Sequence, residues 1–192
     1  AGIGARVAAI TERAMRGEIA FEPALRERVG LLAGLPATIV GELLETRIAL
    51  SPGARALVQT MRKAGAYTAL VSGGFQQFTG AIAARLGLHE HRANLLIVED
   101  GKLTGKVAEP ILGRDAKLAT LRDLAARQGL ALAETLAVGD GANDLAMLDA
   151  AGLGVAYRAK PAVAAAAHAR IDHADLTALL YAQGYRREEF AE

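Results

Sequence analysis

The feature that most constrains what this chain can fold into is an event that occurs twice. A short apolar run, Ala66–Val71, breaks at Ser72-Gly73-Gly74 and gives way to a helical pattern with Phe75, Phe78, Ile82 and Leu86 on one face and Gly87 beyond its end. The same order returns at Thr135–Val138, followed by the loop Gly139-Asp140-Gly141-Ala142-Asn143-Asp144 and a helix around Leu145–Leu148. Strand, glycine loop and helix in that order make half of a βαβ unit. Leu153–Tyr157 reads as a further strand, and residues 114–129 as a helix ending at Gly129. Strands alternating with helices predict an α/β fold, a doubly wound parallel sheet covered on both faces.

Residues 1–48 follow another pattern. Ile3, Val7, Ile10 and Ala14 share one helical face, with Gly17 as a natural stop. A second helix carries Leu25, Val29 and Leu32, with Pro23 in its first turn, and a third opens at Pro36 before Ile39, Val40, Leu43 and Leu44. The expected division is therefore a small helical cap module over 1–48 and an α/β core over 49–192. Ser51-Pro52 reads as an N-cap and first-turn proline of the helix running to Gly65. One insertion interrupts the core: two strand-like runs over 95–106 flank Asp100-Gly101, a two-residue hairpin signal. Ala162–Ala167 predicts a short helix, and the charged residues 186–192 a fraying end.

Composition narrows the partners. A formal net charge of +1 on 192 residues gives no reason to expect nucleic acid or a membrane surface. Apolar stretches stay well below the roughly 20 residues of a spanning helix. The chain has no cysteine, which fits a reducing compartment, and no cationic segment followed by an apolar run opens it. A cytoplasmic protein, monomer or homodimer, is the expectation. The first residue is Ala1 rather than Met, which reads as a processed product or a fragment.

In doubly wound sheets ligands bind outside the carboxyl ends of the strands. Ser72 and Asp140 both fall at such ends. Asp140 leaves its strand between two glycines, which permit a sharp turn and close approach to a ligand. Its carboxylate is a hard oxygen donor suited to Mg²⁺, which takes one or two protein carboxylates besides phosphate oxygens and water. Asp144 stands at the start of the next helix, within reach of a metal-bound water; Asn143 and Asp144 also read as plain helix caps. Ser72-Gly73-Gly74 offers a hydroxyl and backbone N–H groups to an oxyanion, or is a simple turn. Lys117, near the start of its helix, is either a counter-charge for a phosphate or a solvated surface lysine. His89 and His91 form an isolated pair on a loop, and His168 and His173 lie in a polar stretch.

Together these segments resemble the haloacid dehalogenase superfamily of aspartyl-phosphate phosphatases. Val71-Ser72-Gly73-Gly74 is similar to its second motif, Lys117 to its third, and Gly139–Asp144 to its fourth. Within it, the stretch Ile10–Gly17, Phe21-Glu22, Leu25–Val29, Val71–Phe75, Leu96–Gly105 and Val138–Met147 resembles the phosphoserine phosphatases. The resemblance implies hydrolysis of phosphoserine, a small-molecule phosphoester, with Mg²⁺ as cofactor and an aspartyl-phosphate intermediate. It implies that Ser72 and Lys117 are catalytic and hold the phosphate together with Gly73 and Asn143, that Asp140 and Asp144 form the metal site, and that Met15, Phe21 and Arg28 bind the substrate. Arg28 would grip a carboxylate, a use suited to a bidentate guanidinium.

The family's nucleophile and general acid/base are two aspartates of an Asp-x-Asp-x-Thr loop ahead of the cap, and the sequence contains no such loop. The family glutamate that meets the substrate amino group has no counterpart either. The expectation is thus an N-terminally trimmed phosphatase, lacking on the order of 20 residues or more and inactive by itself. The alternatives are a related phosphatase or phosphotransferase on another small phosphoester, such as phosphohomoserine, and a non-catalytic phosphate-binding module.

Overall fold

The computed structural model describes residues 3–16, 18–113 and 115–191, with the side chain of Met15 left aside. Gly17 and the Met15 side chain, both singled out above, therefore lie outside the described residues. The chain divides into two compact units, each assembled from separated stretches.

The first unit comprises Ala1–Ala49, Ser72–Ala81 and Arg92–Arg114. It opens with α1 (Gly4–Met15), α2 (Phe21–Gly30) and α3 (Ile39–Thr46). Pro36 does not open α3. It forms a β-bridge to Lys102, and the segment behind it is tied to the hairpin by the Gly34 N–H to the Leu103 carbonyl and the Leu103 N–H to the Leu35 carbonyl. The proline's fixed φ suits that extended contact, and α3 begins three residues later. The hairpin consists of β3 (Leu96–Glu99) and β4 (Lys102–Val107), antiparallel, with Glu99 opposite Lys102. Asp100 and Gly101 both take positive φ, 48° and 72°, the two-residue turn whose twist matches that of the strands. Leu25 and Val29 of α2 pack on Leu96, Leu103 and Val107 of the hairpin, with Leu32, Leu35, Ile39, Phe75 and Ile111 around them. The turn after α2 comes so close to β4 that a Cβ on Gly105 would lie 2.9 Å from that of Ala33.

The second unit comprises Leu50–Val71, Ile82–His91 and Asp115–Glu192. Its α4 (Ala54–Lys63) starts later than Ser51-Pro52 suggests, because Gly53 adopts a left-handed φ of 78° and turns the chain first. β5 (Leu136–Gly139), β6 (Leu153–Tyr157) and β7 (Ala169–Ile171) form a parallel sheet in that order, with α7 (Leu145–Ala150) and α8 (Pro161–Ala166) between successive strands. This is the α/β alternation that the sequence predicts. Ala137, Leu148, Ala151, Ala156 and Val163 form its core. Small side chains dominate there because the layers approach closely: a Cβ on Gly154 would overlap the Leu148 carbonyl. α6 (Ala116–Gln128) ends at Gly129, left-handed with φ 69°, and α9 (Ala178–Ala182) lies near the end of the chain.

Three elements run from one unit into the other. β1 (Ala69–Phe75) pairs with β2 (Glu90–Asn94), and α5 (Gln76–Leu86) connects them. Ser72-Gly73-Gly74 accordingly lies within a strand, not in a loop, and the helix begins only at Gln76. β2 also removes the predicted loop around His91, which lies within that strand.

Candidate active site

β5 ends at Gly139, and α7 begins at Leu145 after five intervening residues. Between them the Asp144 carboxylate folds back under the loop. It is buried, at 1% exposure, and its Oδ2 accepts the N–H groups of Asp140 (3.1 Å) and Gly141 (3.0 Å). Its Oδ1 accepts the ammonium of Lys117 from the first turn of α6. Gly139 must be glycine, since a Cβ there would overlap the Asp144 side chain. The carboxylate thus holds the loop in shape and fixes a lysine whose side chain is only 16% exposed. Asp140 and Asn143 remain exposed. Four predicted residues, Lys117, Asp140, Asn143 and Asp144, are therefore gathered around one strand end. An ammonium pinned by a buried carboxylate, beside an exposed carboxylate, is suited to holding an anion together with a divalent cation.

In the first unit, Ser72 and Gly73 are the fourth and fifth of the seven residues of β1. The Ser72 Oγ accepts the Gly74 N–H at 3.0 Å. Phe21, the first residue of α2, lies beside Gly73: a Cβ on that glycine would stand 3.8 Å from the Phe21 ring. Phe21 and Arg28 are seven residues apart on α2 and so share a helix face. The half-buried Arg28 donates its Nε–H to the Ala24 carbonyl at 3.2 Å. Outside these residues, Arg26 holds the Glu109 carboxyl below its usual range through a 2.5 Å hydrogen bond. In the second unit the Tyr67 phenol is pushed up by its hydrogen bond to Glu90.

A family model described as haloacid dehalogenase-like hydrolase matches residues 4–149. The chain belongs to this family. Among haloacid dehalogenase-like relatives, it is 48% identical over 189 residues to a phosphoserine phosphatase of Streptomyces coelicolor, covering 98% of this chain and 46% of that protein. It is also 48% identical to a phosphoserine phosphatase of Streptococcus thermophilus over 176 residues, 92% of this chain and 81% of the relative. The chain thus spans under half of the first relative's length. Among solved structures, a substrate-bound phosphoserine phosphatase complex superposes with a TM-score of 0.85 at 41% identity, covering 94% of this chain and 86% of the other.

The sequence reading missed one residue of this haloacid dehalogenase-like chain that touches the Ser72 segment. Asn94, the last residue of β2 and 1% exposed, donates to the Gly73 carbonyl at 3.1 Å. Its only signal was position: an asparagine within the apolar stretch Ala93-Asn94-Leu95-Leu96, where a buried amide needs partners. Gln76 and Gln77 were missed in the same way, and they donate to the carbonyls of Ala93 (3.1 Å) and Leu96 (2.9 Å).

Proposed function

We propose that this chain carries the phosphate-handling machinery of a Mg²⁺-dependent phosphoserine phosphatase, which hydrolyses O-phospho-L-serine to L-serine and phosphate in the last step of serine biosynthesis. The observation that carries the reading is the Lys117–Asp144 contact under the Asp140 loop. A lysine held in place by a buried carboxylate is preorganised to offset charge on a transferring phosphoryl group, the main task in this chemistry. The names of the relatives support the substrate.

On this reading Ser72, Gly73 and Lys117 hold the phosphate, with Asn143 beside them. The donor set suits Mg²⁺: Asp140 offers an exposed carboxylate and Asn143 an exposed amide oxygen, both hard ligands. Both oxygens of Asp144 are already engaged, so it would support the metal site from behind Asp140. When bound, Mg²⁺ would neutralise charge on the phosphate and on the attacking carboxylate. Residues 1–48 would serve as the cap that reads the amino-acid end, with Arg28 on the substrate carboxylate and Met15 and Phe21 against its body, and 49–192 as the core. The ligand is a small molecule, not nucleic acid, and the location cytoplasmic. Among the described residues no helix is long and apolar enough to cross a membrane.

These 192 residues contain no Asp-x-Asp pair. The second reading is a non-catalytic phosphate-binding module. Phosphoserine and phosphohomoserine turnover by the full-length encoded protein at matched Mg²⁺ decides between them. Phosphoserine should be preferred, and Arg28→Ala should raise KM for phosphoserine far more than for a simple aryl phosphate. No turnover of any phosphoester by the full-length protein would leave the binding module.

A further inference from the structure

β1 carries a chain of contacts whose starting point has no assigned role. The Asn94 Oδ1 accepts the Leu112 N–H at 2.8 Å. An N–H requires an acceptor, so this contact fixes the amide's orientation and turns Nδ2 toward the Gly73 carbonyl, 3.1 Å away. The Gly73 carbonyl and the Gly74 N–H are opposite edges of one planar peptide. Its N–H edge donates to the Ser72 Oγ at 3.0 Å. The plane is therefore held at both edges, by Asn94 on one side and by the serine hydroxyl on the other. With a lone pair of Oγ taken by the Gly74 N–H, the hydroxyl proton is left to point elsewhere. A Cβ on Gly74 would lie 3.1 Å from that oxygen and would press on the serine hydroxyl.

We infer that Asn94 is a positioning residue which, through the Gly73–Gly74 peptide, sets the Ser72 hydroxyl as a hydrogen-bond donor to a phosphoryl oxygen. The inference rests on the proposed phosphate site, and it assigns to a buried amide in the neighbouring strand the job of aiming one of that site's donors. Asp at position 94 keeps the size and still accepts the Leu112 N–H. It offers nothing to the Gly73 carbonyl and, when ionised, repels it.

The test is a double-mutant cycle in the full-length protein, with inorganic phosphate as the probe at fixed Mg²⁺. Asn94→Asp and Ser72→Ala should each weaken phosphate binding about five- to tenfold, the range of a single lost hydrogen bond. The double variant should bind no more weakly than Ser72→Ala alone, because Asn94 acts only through that hydroxyl. Hydrogen exchange of the Gly74 amide in the ligand-free protein should be faster in Asn94→Asp than in the wild type, a readout that needs no ligand. Unchanged phosphate affinity in Asn94→Asp, losses that add in the double variant, or no phosphate binding by the wild type would overturn the inference. Asn94-dependent phosphate binding by a protein that hydrolyses no phosphoester would instead overturn the proposed function and leave the inference standing.

Discussion

At the scale of single residues, the chain concentrates its demands on carboxylates with several partners. Asp144 is buried and satisfies three donors with two oxygens. Asp144→Asn leaves only one acceptor oxygen, so its NH₂ must face either the Lys117 ammonium or two backbone N–H groups. The expected cost is about 3 kcal/mol, the range for breaking a buried pair, read as a lowered urea midpoint with unchanged slope. An Asn variant as stable as the wild type would show that the loop does not depend on this carboxylate. Asp175 makes a milder case. Hydrogen bonds from the Thr177 hydroxyl and N–H hold its carboxyl below the usual range of about pH 4. Its contribution to stability is therefore complete above that pH and fades as the pH falls through the lower folded value. The Tm gap between wild type and Asp175→Ala should shrink in strong acid, and a gap independent of pH would refute the linkage. The Lys117–Asp144 pairing was not legible in the sequence, because the two stand 27 residues apart and only the fold brings them together.

At the scale of elements, legibility followed local chemistry. The hairpin was readable because Asp100-Gly101 meets a backbone requirement that few residue pairs satisfy. β2 was not, since Glu90-His91-Arg92-Ala93-Asn94 has neither the apolar run nor the alternation that marks a strand. β7 is three residues long, too short for periodicity to register. Ser72-Gly73-Gly74 looked like a turn by composition, yet it lies within β1, a strand that neighbours β2. Two glycines of the hairpin separate backbone demand from packing demand. Gly101 has φ 72° with open space around it, whereas Gly105 has φ 78° and faces Ala33 at 2.9 Å. Gly101→Ala should cost about 1 kcal/mol, the left-handed backbone penalty alone. Gly105→Ala should cost about 2–3 kcal/mol, because the turn after α2 must also shift off β4. Equal losses in thermal denaturation would show that the turn at Ala33 and β4 are not in close contact there.

At the scale of the whole molecule, both cores are apolar clusters and the proposed metal ligands lie on a loop between β5 and α7. Stripping divalent cations from the full-length protein should abolish phosphoserine turnover, and added Mg²⁺ should restore it, while the circular dichroism spectrum stays the same. Collapse of the spectrum on chelation would mean that the metal is structural. The α/β class, the helical opening and the position of the Asp140 loop were all readable from the sequence, because each rests on contiguous residues. The composition of the first unit was not, because its core joins Leu25 and Val29 to Leu96, Leu103 and Val107 across a long stretch of chain. During synthesis that cluster cannot close until Val107 has left the ribosome. At about 5–20 residues per second, α2 must wait several seconds with its apolar side unmatched while two stretches of the other unit, 50–71 and 82–91, are translated. The nascent chain thus offers a sticky helix to any chaperone at the exit tunnel, and codon choice between residues 30 and 107 sets how long that offer lasts.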